Sequence, residues 1–168
     1  MIRSVPTFAF TARGPYHAIG LLEGLVVGQW RAGVDPVVAF DAYVSSLREA
    51  SQRSPKGVGS LAIIDAANPP SGLQEAAHRI YTEFGPKLVC LARVIETHGF
   101  RAAAFHSALS ALNAKAPCKT ANFDCVNAAA SWAAATMRAS VASTFTTEQV
   151  VEAVEEIKAS LGSRSDRA

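Results

Sequence analysis

The side chains able to do chemistry in this chain gather in three short stretches. The first holds Asp65, Asn68 and Ser71, the second Glu96, Thr97, His98 and Arg101, and the third Asn122 and Asp124. Each stretch follows an apolar run and precedes an amphipathic one, so each falls where a strand hands over to a helix. In open α/β sheets that is where ligands bind, outside the carboxyl ends of parallel strands. Ser71 opens one such helix beside free backbone amides and the positive end of the helix dipole, which favours a phosphate on or near its hydroxyl. The competing reading is a plain helix cap, a position for which Ser is among the preferred residues.

Other constellations fail on spacing. His98 and His106 stand eight residues apart, and Ser107, next to His106, points about 100° around the helix from it, so no triad forms. No H-x-x-x-H, H-E-x-x-H or C-x-x-C occurs, and no G-x-G-x-x-G or G-x-x-x-x-G-K-[ST]; no metal or cofactor is therefore expected. Cys90 lies in an apolar run and reads as a buried thiol, while Cys118 and Cys125 could form half of a zinc site that lacks its second pair. His78 and Arg79 fall on the solvent side of their helix, and His17 is a strand residue.

The elements that must position these groups follow from composition and periodicity. The chain has 168 residues, 49% apolar and 18% charged, with 16 Lys and Arg against 14 Asp and Glu. That is the profile of one globular domain with its own core. A net charge of +2 without a run of like charges argues against nucleic acid or an anionic membrane as partner. No signal peptide or membrane span is read, and a cytoplasmic location is expected.

Thr7 to Ala12, His17 to Leu22 and Leu25 to Arg31 read as strands, the last two joined by a tight hairpin at Glu23-Gly24. Asp35-Pro36 then caps a helix to about Ser51, with Val37, Phe40, Val44 and Leu47 on its apolar face. Val58 to Ile64 is a buried strand, Gly72 to Phe84 a helix, Leu88 to Glu96 a strand, and Phe100 to Leu112 a helix with Phe100, Ala104, Ser107, Ala108 and Leu112 on one face. Thr120 to Phe123 is a short strand, followed by a helix from Asp124 to Met137, with residues 139–144 as a hinge or a fraying end. Thr146 to Gln149 has capping-box spacing and opens a last helix striped by Val150, Val154, Ile157 and Leu161. That stripe must cover its own domain or another chain. The expected fold is α/β: a mixed β-sheet with N-terminal antiparallel strands and helices covering it, plus a C-terminal amphipathic helix, divided as 1–142 and 143–168. The 32 alanines, concentrated at 102–104, 128–130 and 133–135, allow helices to approach closely and disfavour large cavities beside them.

This element order resembles the STAS superfamily, the anti-sigma-factor-antagonist-like domains, and in particular their divergent bacterial branch. The likeness covers roughly Thr7 to Met137. In that family a serine opening the helix after a central strand, within an Asp-Ser-Ser-Gly-Leu-type motif, is phosphorylated to switch partner binding. Here Ser71-Gly72-Leu73 matches the last three letters, while residues 66–70 separate Asp65 from Ser71. Gly99-Phe100 before a helix is a second likeness, with His106 where the branch often carries an Arg.

The resemblance implies a non-enzymatic signalling or protein-interaction module switched at Ser71, with a protein partner or self-association and no catalytic residue. The candidate binding set is Asp65, Asn68, Ser71, Gly72, His98 and Arg101. Two readings compete with it: a small-ligand binder or enzyme using Asp65, His98 and Arg101, and an oligomerisation protein that exports its last helix.

Overall fold

The computed structural model describes residues 4–31, 33, 35–65, 72–96 and 99–165. Among them the chain forms β1 (Ala9–Arg13), β2 (His17–Leu22), β3 (Leu25–Trp30), α1 (Pro36–Arg53), β4 (Val58–Ile64), α2 (Leu73–Phe84), a 3-10 turn (Gly85–Lys87), β5 (Leu88–Ile95), α3 (Phe100–Asn113), β6 (Lys119–Phe123), α4 (Val126–Val141) and α5 (Thr147–Ser165). The fold is α/β around one mixed sheet, with the helices covering it.

The six strands stand in chain order. The first three form an antiparallel meander, and β3 to β6 run parallel. Each parallel step moves the same way across the sheet, so right-handed crossovers put α1, α2 and α3 on one face. Helices α4 and α5 cover the other. Covering both faces is why β2 is buried at every position and why β3 to β5 read as apolar runs rather than as alternating strands.

Alternate residues serve the two faces. Ala18, Leu22, Leu25, Val27, Leu61, Ile63, Ala92 and Val94 pack against α4 and α5, while Ile19, Leu21, Val26 and Leu91 pack against α1 and α2. Ile64 and Ile95 meet α2 and α3. Local chemistry sets the helix starts. The Asp35 carboxylate accepts from the Val37 and Val38 amides at 2.9 and 3.4 Å, with Pro36 at the first helical position. Thr146 and Gln149 exchange side-chain to backbone bonds of 3.3 and 2.9 Å, a capping box that opens α5.

The α5 stripe of Val150, Val154, Ile157 and Leu161 is buried in the same core as β2, β3 and α4, so the chain itself covers it. Arg31 Nη1 donates to the Leu161 carbonyl at 3.2 Å, and Lys158 pairs with Glu96, tying the far end of α5 to the sheet.

Three sequence expectations require correction. Helix α3 buries Ala102, Phe105, Leu109 and Leu112, so Phe100, Ala104, Ser107 and Ala108 face solvent. In α1, Val37 is exposed and Ala39, Tyr43, Val44, Leu47 and Ala50 make the buried face. Helix α4 runs on to Val141, four residues past Met137, so of the two readings of residues 139–144 the structure shows the end of a helix and not a hinge.

Candidate functional site

The carboxyl ends of β3, β4 and β5 share one end of the sheet, and α1, α2 and α3 start there. Because β2 pairs antiparallel with β3, with His17 opposite Trp30, the β1–β2 turn lies at this end too. The Arg31 amide closes that corner by donating to the Tyr16 carbonyl at 2.8 Å.

Of the candidate residues, Asp65 directly follows β4 and is half-buried, Gly72 precedes α2 and is exposed, and Arg101 is exposed in the first turn of α3. All three lie at this end. Asn68, Ser71 and His98 fall outside the described residues. Gly72 and Gly99 have φ of 72° and 98°, a region that residues with a Cβ enter only at a cost, and each turns the chain directly into its helix. From the third loop, Asn122 is half-buried on β6 and Asp124 is exposed just beyond it.

Sequence reasoning missed the apolar component of this end. Of the large apolar side chains exposed among the described residues, Tyr16 (46%), Val37 (67%), Val38 (53%) and Phe100 (89%) are all here, and only Val5 is elsewhere. Val37 and Val38 are adjacent in the first turn of α1, where inward-facing Ala39 and Tyr43 fix the helix rotation and leave both outside. Adjacent valines after a cap were a readable signal, since neighbours about 100° apart on a short first turn rarely share one buried side.

Behind this end, between α1, α2 and the sheet, lies a cavity of about 120 Å³. Trp30, Phe40, Ile64, Leu73, Ile80 and Leu91 give it apolar walls, and the polar residues Tyr43, Ser60, Tyr81 and Arg93 line it too. The Tyr43 hydroxyl bonds the Ser60 hydroxyl. Arg93 Nη1 donates to Asn113 Oδ1 at 2.5 Å, and the buried Tyr81 hydroxyl has no hydrogen-bond partner among the described residues.

Burial dominates the titration of nearby groups. It pushes the Tyr43 phenol up to about 12, against opposing effects of the Ser60 bond and the Arg93 charge. Burial likewise raises the Cys118 thiol to about 11, with Arg93 opposing, and the Cys90 thiol to about 12. Such thiols are poor nucleophiles at neutral pH. Cys125 is exposed. Among the described residues no three His, Cys, Asp or Glu side chains come together in a way that could hold a metal ion, and no helix is long and apolar enough to cross a membrane.

Comparisons of this chain with protein-family models, with curated proteins and with solved structures found no match.

Proposed function

We propose that the chain is a non-enzymatic regulatory module that binds a protein partner, or a second copy of itself, through the carboxyl end of its parallel strands. One observation carries this reading: four of the five large apolar side chains exposed among the described residues, Tyr16, Val37, Val38 and Phe100, lie at that single end. Apolar side chains scattered singly over a surface mean little, whereas their concentration at one end is the usual mark of an interaction surface. Arg101 and Asp65 add charge at the same end, as the polar rim of an interface does. Ser71, immediately before Gly72 in sequence, is the position at which the STAS-like resemblance puts a phosphorylation switch; a phosphate there would add up to two negative charges.

The test is photo-crosslinking in the native host from p-benzoylphenylalanine placed at position 38 or 100, with exposed Gln52 at the far end of α1 as control. A discrete adduct from positions 38 and 100 but not from 52, lost in Tyr16→Asp and changed in yield by Ser71→Glu, supports the reading. Equal labelling from all three positions, or none from 38 and 100 in folded protein, overturns it.

A further inference from the structure

The cavity behind the α1 and α2 first turns combines two features that apolar packing alone does not produce. Its walls are aliphatic and aromatic, yet Arg93 is among its lining residues, and the hydrogen-bond partner of that guanidinium among the described residues is a neutral amide oxygen, Asn113 Oδ1. None of the three ion pairs formed among those residues uses Arg93. The second feature is the Tyr81 hydroxyl, buried and without a partner among the described residues. A half-buried cation and a buried donor that find no counter-charge and no acceptor among the described residues both carry a free-energy cost until an anion meets them.

Size and chemistry narrow the ligand. A cavity of 150 Å³ can hold the six carbons of benzene; at about 120 Å³ this one suits an alkyl group of about four carbons at most, with the charged group at its polar edge. One guanidinium and one phenol match the two oxygens of a carboxylate. A phosphate, which has no apolar part, would leave the aliphatic and aromatic walls unused and would desolvate its charge against them. Pro36 and Leu73, the first residues of α1 and α2, both line the cavity, so it reaches the end of the sheet from which a ligand would enter.

We infer that this cavity binds a small branched-chain monocarboxylate, its carboxylate held by Arg93 and the Tyr81 hydroxyl and its alkyl group packed among Trp30, Phe40, Ile64 and Ile80. This site stands on its own observations and does not depend on the protein-binding surface in front of it. It also differs from the small-ligand site expected at Asp65, His98 and Arg101: the cation is Arg93, inside a strand and beneath the helices.

Trp30 lines the cavity, while Trp132 packs with Phe123 on the opposite face of the sheet, so in a Trp132→Phe background indole emission reports the site. Titration of the full chain with isovalerate should give a saturable emission change and matching calorimetric heat. Isoamyl alcohol, of the same shape but uncharged, should bind at least about tenfold more weakly, and inorganic phosphate should produce no change. Arg93→Met should bring isovalerate down to the level of the alcohol. Ala76→Phe, which fills the cavity from a half-buried position on α2 and leaves Arg93 in place, should weaken acid and alcohol together. No saturable binding of isovalerate to the folded chain, equal affinity for acid and alcohol, or affinity unchanged in both variants would overturn the assignment.

Discussion

The two faces of the sheet are covered by helices of different character. Under α4 the contact is made by Ala129, Ala130, Ala133 and Ala134, and under α5 by the aliphatic stripe of Val150, Val154, Ile157 and Leu161, with Met137 and Phe145 fully buried beside them. Under α1 and α2 the contacts come from larger residues, Phe40, Tyr43, Ile80 and Tyr81, and they leave a cavity with polar groups inside it. Small side chains let a helix settle close to a sheet and exclude gaps; bulky rings hold it away and meet imperfectly. One face therefore serves stability, and the other keeps room for a ligand next to the end where apolar side chains reach solvent.

Truncations should separate the faces most strongly. Phe145→Ala removes a fully buried ring from the close-packed face and should cost about 3–5 kcal/mol in chemical denaturation. Phe40→Ala, in the half-buried cavity wall, should cost less than half as much; equal losses would contradict the contrast. Enlargements come next. Ala133→Leu must force α4 away from the sheet and should cost about 1–3 kcal/mol, whereas Ala76→Leu has cavity space to enter and should be neutral or slightly stabilising, as read by thermal unfolding.

Removing a polar group from inside the cavity should matter less. Tyr43→Phe deletes the bond to Ser60 and should cost about 1 kcal/mol. It should also change the alkaline limb of stability. Tyr43 holds its proton to about 12 in the fold against an ordinary 10.0, so its neutral form contributes fully below pH 10 and that contribution is lost as pH rises through about 12. Cys118 and Cys90 begin the same loss from their ordinary 9.0, with folded values of about 11 and 12. Equilibrium unfolding followed between pH 8 and 12 should show stability falling above pH 9, with a shallower fall near the top of that range in Tyr43→Phe. The smallest effect concerns thiol chemistry: at pH 8 the exposed Cys125 should react with a disulfide reagent in the folded protein, and the buried Cys90 only on unfolding.

Much of this arrangement was legible in the sequence because local signals agreed with one another. Asp35-Pro36, Thr146 with Gln149 and the turn at Glu23-Gly24 all mark boundaries that the structure keeps, and apolar runs between them mark strands covered on both faces. The α3 face was not legible, because alanines occur all around that helix and periodicity alone cannot choose between its sides; Phe105 and Leu109 decide the matter by size. At the candidate site, the strand-end rule placed Asp65, Gly72 and Arg101 at one end of the sheet. It said nothing of the exposed apolar residues beside them, which depend on how each helix is rotated. Arg93 was hidden for a different reason: within a buried strand run it reads as an interruption, and only the parallel pairing of β4 and β5 brings it into a cavity with Tyr43 and Ser60.

The contrast between the two faces can be tested most directly with xenon, which enters apolar cavities irrespective of chemistry. Under xenon pressure, methyl resonances of Ile64, Ala77, Ile80 and Leu91 should shift in a saturable way, while those of Ala129, Ala133, Val154 and Ile157 stay in place. Shifts of similar size on both faces, or confined to the α4 and α5 side, would contradict the division of labour described for this sheet.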